Sequence, residues 1–169
     1  PLGNEPRAQV GAGLFGRIID GSGRPLDSGG PVVAEGFWPL ETAVGNPLRR
    51  ASVTRPIDVG VRAINGLLTL GVGQRVGIMA GSGVGKSVLL GMMVRNVSAD
   101  VVVVALIGER GREISDFVGN QIDGATRART IIVAVAADEA PLLRVRGVMR
   151  ATAIAEYFRA AGRSVVLIV

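Results

Sequence analysis

Arg75-Val76-Gly77-Ile78-Met79-Ala80-Gly81-Ser82-Gly83-Val84-Gly85-Lys86-Ser87-Val88-Leu89-Leu90 is an apolar segment, a glycine-rich turn and the start of an amphipathic helix in direct succession. Glycines without Cβ atoms let successive backbone N–H groups turn inward around a phosphate. Lys86 supplies a point charge for the terminal phosphates, and the Ser87 hydroxyl is a ligand for Mg²⁺. The helix that begins near Gly85 adds the positive end of its dipole. The pattern departs from G-x-x-x-x-G-K-S only at its first position, which is Ala80, the mildest change available. Ala80, Gly81, Ser82, Gly83, Val84, Gly85, Lys86, Ser87 and Val88 are therefore the expected nucleotide-binding residues, and Ser87 the expected metal contact. A bare G-K-S also arises by chance in turns before helices. The apolar run before it and the amphipathic pattern after it set this one apart.

The 169 residues suit one domain, and with 48% hydrophobic residues a sizeable core can form. The longest unbroken apolar runs, Val101 to Ile107 and Ile131 to Ala137, have seven residues each, far short of the roughly 18–20 that a bilayer-spanning helix needs. No leader pattern precedes the first Gly-rich stretch, and the chain begins at Pro1, which suggests a processed or excised piece; a cytosolic location is expected. Cysteine and histidine are both absent, which excludes disulfides, thiolate metal sites and histidine-dependent triads. Catalysis must then rely on carboxylates, Lys, Arg and a metal ion. The formal charge of +5 would suit nucleic acid, but the arginines are dispersed and a single Trp and a single Tyr offer little base stacking. No nucleic-acid partner is expected.

Residues 11 to 56 are rich in Gly and Pro and read as short β segments and loops. Asp58 to Leu70 carries apolar residues at helical spacing and predicts a short helix. Beyond it the pattern predicts strands over Gln74–Ala80, Val101–Ile107, Thr130–Val135 and Ser164–Val169. Between them it predicts helices over Lys86–Val97, Arg112–Val118 and Pro141–Ala161. The strands are continuous Val/Ile/Ala runs, as expected for a parallel sheet covered on both faces. The fold class is α/β, a P-loop NTPase core with a mostly parallel sheet and helices on both faces, preceded by a β- and loop-rich segment over residues 1–56. Arg144, Arg146 and Arg150 read as a solvated helix face, and the Leu89/Leu90 and Met92/Met93 pairs as core contacts.

Ligands of parallel sheets bind beyond the carboxyl ends of the strands. Gly108-Glu109-Arg110-Gly111-Arg112-Glu113 follows one strand directly and brings a carboxylate and a guanidinium to the edge that carries the phosphate loop. A carboxylate there can orient and polarise an attacking water, and a guanidinium can bind phosphate oxygens. Taken alone, the same cluster is an ordinary charged helix N-terminus.

Four stretches carry a resemblance: residues 60–69, 73–87, 106–113 and Ala153-Ile154-Ala155-Glu156-Tyr157-Phe158-Arg159. Gly16 to Asp27 adds to them. Together they resemble the ATPases of bacterial flagellar protein export and of type III secretion injectisomes, relatives of the catalytic subunit of rotary ATP synthases. The core of such enzymes is RecA-like. The resemblance implies that Gly81 to Ser87 bind the phosphates of ATP, Lys86 contacts the terminal ones and Ser87 helps to hold Mg²⁺. It implies that Glu109 is the catalytic carboxylate activating water and that Arg110 lies near the terminal phosphate. It also implies a homo-hexameric ring with ATP at subunit interfaces, peripheral to the inner membrane at the export gate. The implied partners are the export apparatus, a stator-like regulator, and export substrates and their chaperones.

Members of that family also carry a β-barrel domain before this region. After it they carry an Mg²⁺-supporting acid, an inter-subunit arginine region and a C-terminal domain. The expected organisation is thus a β-rich opening of the catalytic domain over 1–56 and the first half of the ATPase core over 57–169. The piece by itself is expected to be nearly inactive. Gly119 to Thr126 matches the resemblance less well and is expected to be a surface loop. A non-hydrolysing nucleotide-binding ring subunit and a hexameric RNA translocase of the same superfamily are the alternative readings.

Overall fold

A computed structural model describes residues 6–42, 45–46, 48, 50–81 and 83–169. Four strands form one parallel sheet in the order β2-β5-β4-β6: β2 (Ile18–Ile19), β4 (Val101–Glu109), β5 (Thr130–Ala136) and β6 (Val165–Ile168). β1 (Arg7–Val10) and β3 (Gly36–Pro39) form a separate antiparallel pair. The helices are α1 (Arg62–Leu67), α2 (Lys86–Asn96), α3 (Gly111–Gln121), α4 (Gly124–Arg127) and α5 (Pro141–Ala160).

The period of two along each strand sorts its side chains between two apolar clusters. Val101, Val103, Ala105, Ile131 and Val133 pack with Ile154, Phe158 and the α5 alanines, under the β1–β3 pair. Val102, Val104, Leu106, Ile132 and Ala134 pack on the other face with Val94 of α2 and Phe117 of α3. Burial on both faces explains why the strands read as unbroken apolar runs. Leu89, Leu90, Met92 and Met93 pack against the second cluster, as expected.

β4 lies between β5 and β6, so the β5–α5–β6 crossover carries the chain past it to the other side. This reversal places a switch point at the carboxyl end of β4, where Glu109 sits.

Three expectations are corrected. Gln74–Ala80 is not a strand: residues 74–80 carry no regular secondary structure, and no described strand pairs with them. Val76 is 52% and Met79 95% exposed. Propensity alone does not make a strand without a hydrogen-bonding neighbour, and Arg75 and Gly77 weaken the apolar run further. Residues 119–126 are not a loop. α3 continues to Gln121, and α4 follows behind Asp123, whose Oδ1 accepts from the Thr126 amide at 2.7 Å. Arg150 is not on a solvated face; only 7% of it is exposed, and its Nε donates to the Gly21 carbonyl at 3.2 Å. Burial pulls its guanidinium below the usual value, and nearby Asp20 opposes this.

The Gly-rich opening is tied to β2 by a largely buried ion pair. Arg17 Nε donates to both Asp27 oxygens at 3.0 Å and Nη2 to Oδ1 at 2.8 Å, while the Ile18 amide donates to Oδ2 at 2.7 Å. The Arg17 hydrogen bond, with the Ile18 and Gly29 amides, outweighs burial and lowers the Asp27 carboxyl to about 2. A carboxyl depressed by folding stabilises the protein above its unfolded value, and that contribution is lost as the pH falls through the folded one. Urea melts of the parent and of Asp27→Asn should therefore differ by about 1–2 kcal/mol at pH 7, allowing for solvent screening, and converge as the pH falls from about 4 to 2. A gap that stays constant with pH would show that the carboxylate charge contributes nothing.

Candidate functional site

The site forms where α2 begins and β4 ends. Gly85, the residue before α2, has φ 97° and makes no side-chain cap, and Gly83 has φ 76°. Only glycine adopts these left-handed conformations readily. No atom lies within 4 Å of where a Cβ at Gly81, Gly83 or Gly85 would be, so the turn borders open space. α2 makes its first internal bond from the Leu89 amide to the Gly85 carbonyl at 2.9 Å, which leaves the amides of Lys86, Ser87 and Val88 without intrahelical partners. This is an uncapped, glycine-flanked helix N-terminus, the donor set that a phosphate needs. Ala80, Val84, Lys86, Ser87 and Val88 are exposed around it, and Ser82 lies outside the described residues.

Glu109 is delivered by a bulge. The β4–β5 register slips by one residue between Ile107 and Glu109, with Gly108 at φ 78°. The extra residue re-aims the side chain that follows it. Glu109 Oε1 lies 3.6 Å from Lys86 Nζ; the two side chains are 38% and 43% exposed. The phosphate-loop amine and the strand-end carboxylate thus converge. They do so because α2 packs over the face of β4, not because two adjacent strands present them.

Arg110 is directed elsewhere, its Nη1 lying 3.7 Å from Glu113 Oε1, and its amide donates to Glu113 Oε2 at 3.4 Å. The hydrogen bond shared with the Glu109 carboxyl, and then the Arg110 amide, hold the Glu113 carboxyl below the usual carboxylate range. Two ion pairs, Lys86–Glu109 and Arg110–Glu113, stand at the mouth of the site. Glu113 is not among the site residues expected from the sequence. Its place as the third residue of α3, three after Arg110, was the available signal.

Among the described residues no cluster of three or more His, Cys, Asp or Glu could hold a metal ion. A hard cation such as Mg²⁺ fits here only with the Ser87 hydroxyl as protein ligand and with phosphate and water oxygens as the others. The donor chemistry is compatible with that. A surface cavity of about 660 Å³, lined by Arg55, Asp58, Asp100, Arg129 and Ser164 among others, lies at the opposite, amino-terminal edge of the strands. It takes no part in the site.

The fold and the site together define a phosphate-loop, nucleotide-binding α/β protein. The chain belongs to the ATP synthase alpha/beta family, whose nucleotide-binding domain matches residues 60–169. It is 49% identical over 168 residues to a flagellum-specific ATP synthase of Pseudomonas aeruginosa, a match covering 99% of this chain and 37% of that protein. To the flagellum-specific ATP synthase of Salmonella typhimurium it is 54% identical, covering 94% of this chain and 35% of that one. A type 3 secretion system ATPase of Xanthomonas euvesicatoria is 42% identical, with coverages of 98% and 38%. The chain therefore spans little more than a third of these relatives.

Among solved structures, it superposes with a TM-score of 0.91 and 46% identity on the assembled ATPase EscN of enteropathogenic E. coli in complex with its central stalk EscO. That match covers 98% of this chain and 41% of EscN. A prototypical ATPase from the type III secretion system of pathogenic bacteria gives a TM-score of 0.90 at 46% identity, with coverages of 95% and 46%. These likenesses bear out the expected α/β P-loop core.

Proposed function

We propose that the full-length protein hydrolyses ATP to energise flagellar or injectisome-type protein export. The observation that carries this reading is the 3.6 Å approach of Lys86 to Glu109 beside an uncapped, glycine-flanked helix N-terminus. The phosphates of ATP sit against the amides of residues 81–88, with Lys86 leaving Glu109 for the terminal phosphates. The Ser87 hydroxyl would hold Mg²⁺, which would supply charge neutralisation on the phosphates. Glu109, freed from its ion pair, orients a water for in-line attack. Arg110 moves from Glu113 toward the terminal phosphate as charge develops there.

The relatives' names support export as the purpose, and the assembled state and stalk complex of EscN support a ring with a partner at its centre. We infer a homo-hexamer, with the export apparatus, a stator-like regulator, export substrates and chaperones as its partners. No helix among the described residues is long and apolar enough to cross a membrane, consistent with a cytoplasmic, membrane-peripheral location. Residues 1–56 form the β-rich opening of the catalytic domain, and residues 57–169 its first half.

The test is phosphate release by the full-length protein supplied with Mg²⁺ and ATP, beside the 169-residue chain alone. Turnover is expected from the first and almost none from the second. A full-length protein that binds ATP without releasing phosphate would be a non-hydrolysing ring subunit instead.

A further inference from the structure

α2 and α3 lie on the same face of the sheet, and each begins at the site. Both run opposite to β4, so they are parallel to each other. Each has 11 residues, about 16 Å of helix, and their far ends meet. There Arg95, in the last turn of α2, donates through Nη1 to the Gln121 side-chain Oε1 at 2.8 Å and to the Gln121 backbone carbonyl at 3.0 Å. Gln121 is the last residue of α3. Its side chain also fills a notch at Gly91, where a Cβ would lie 2.8 Å from the Gln121 Cβ and closer still to Oε1. Gly91 and Arg95 are four residues apart and share one face of α2. That face is shaped around Gln121.

The clasp matters because it ties the far end of α3 to that of α2, which Arg129 in turn holds through the Val94 and Arg95 carbonyls. α3 buries one residue, Phe117, and α2 buries only Gly91 and Val94. Leu89, Leu90, Met92 and Met93 of α2 and Ile114 and Val118 of α3 pack on the same apolar cluster, so the two helices form one layer with a polar tie at its far end; Lys86 begins α2, and Glu109 ends the strand that leads into α3. Gln121, Phe117 and Glu113 recur at intervals of four, so the row that ends in the clasp begins beside Glu109.

We propose that Gln121, held by Arg95 against Gly91, is a positioning residue that sets the distance between Lys86 and Glu109. The inference rests on the hydrolytic reading above. A rigid helix transmits a shift at its far end to its near end, and a misplacement of about 1 Å at reacting groups costs up to about 100-fold in rate.

The kinetic arm compares Gln121→Leu and Gln121→Glu in the full-length protein. Leu keeps the volume and removes the acceptor, whereas Glu keeps an acceptor for Arg95. Gln121→Leu should lower kcat per folded enzyme about 10-fold with KM for ATP within about 2-fold, and Gln121→Glu should stay within about 2-fold of the parent. An equal loss in both variants, or a loss matching only the unfolded fraction, overturns the proposal.

The second arm does not depend on turnover. These 169 residues contain no cysteine, so in the full-length protein, with any cysteine outside them replaced by serine, Val88→Cys and Arg112→Cys give one spin-label pair across the mouth of the site. The distance distribution should be narrow in the parent and in Gln121→Glu, and shifted or broadened in Gln121→Leu. Identical distributions in all three overturn the clasp even if the enzyme is active. A full-length parent without turnover, but with the distance shift, would sink the hydrolytic reading and leave the clasp standing.

Discussion

Glu109→Gln in the full-length protein is expected to cut steady-state ATP turnover by about 100- to 10,000-fold, the range spanned by a positioned general base. The substitution keeps size and hydrogen-bonding capacity and removes only the charge and the basicity. Lys86, now 3.6 Å from Glu109 Oε1, loses its ion-pair partner and becomes freer to meet an incoming phosphate. Nucleotide affinity should thus hold or rise while turnover collapses. That split separates a catalytic role from a structural one, because a misplaced loop would weaken both. Phosphate release, together with equilibrium binding of a fluorescent ADP, measures the two sides.

Glu113 must be controlled for, since its carboxyl adjoins that of Glu109 and can take over as a poorer base. Glu113→Gln added to Glu109→Gln should remove residual turnover. Unchanged turnover in Glu109→Gln would end the catalytic assignment.

Much of this site was legible because its chemistry is local in sequence. The glycine run, Lys86 and Ser87 occupy one turn, and the carboxylate follows a run of seven apolar residues that can hardly be anything but a buried strand. Two apolar faces per strand likewise follow from composition alone. What could not be read depends on contacts between distant segments. The Gln74–Ala80 run has strand-like residues, but only a pairing neighbour makes a strand, and periodicity carries no information about neighbours. Arg150 has the same spacing as its solvated companions Arg144 and Arg146. It is buried because the Asp20–Gly23 turn, some 130 residues earlier, lies over it. The Arg95–Gln121 clasp joins two helix ends that no short motif connects. The bulge at Gly108 has a faint signal, a glycine inside an otherwise apolar strand. Its consequence, re-aiming Glu109, appears only from the register with β5.

Arg129→Met should be the most destabilising single substitution outside the apolar core. The residue precedes β5, yet its guanidinium closes the far end of α2. Nη1 donates to the carbonyls of Val97 and Ala99 at 2.8 and 2.7 Å, and Nη2 to those of Val94 and Arg95 at 3.1 and 2.9 Å. The Val94 and Arg95 carbonyls are among those a helix leaves unsatisfied at its C-terminus, the Val97 and Ala99 carbonyls belong to the cap and the turn that follow, and a cation there also complements the helix dipole. Met keeps most of the length and the apolar stem but leaves the carbonyls of Val94, Arg95 and Ala99 to find water, while that of Val97 keeps the Ala99 amide at 3.0 Å. Each charge-assisted bond is worth up to about 1.5–3 kcal/mol, but solvent replaces part of that, so a net loss of about 2–4 kcal/mol is expected. For a domain of this size it corresponds to a fall of roughly 4–16 °C in Tm. Arg129→Lys should recover only part of the loss, because an ammonium cannot present the planar fork that reaches two pairs of carbonyls. Urea and thermal unfolding of the three proteins decide the matter. A loss below about 0.5 kcal/mol for Met, the range of an ordinary surface change, would mean that water serves these carbonyls as well as the arginine does. The helix that carries Lys86 would then be anchored by its apolar face and the Arg95–Gln121 contact.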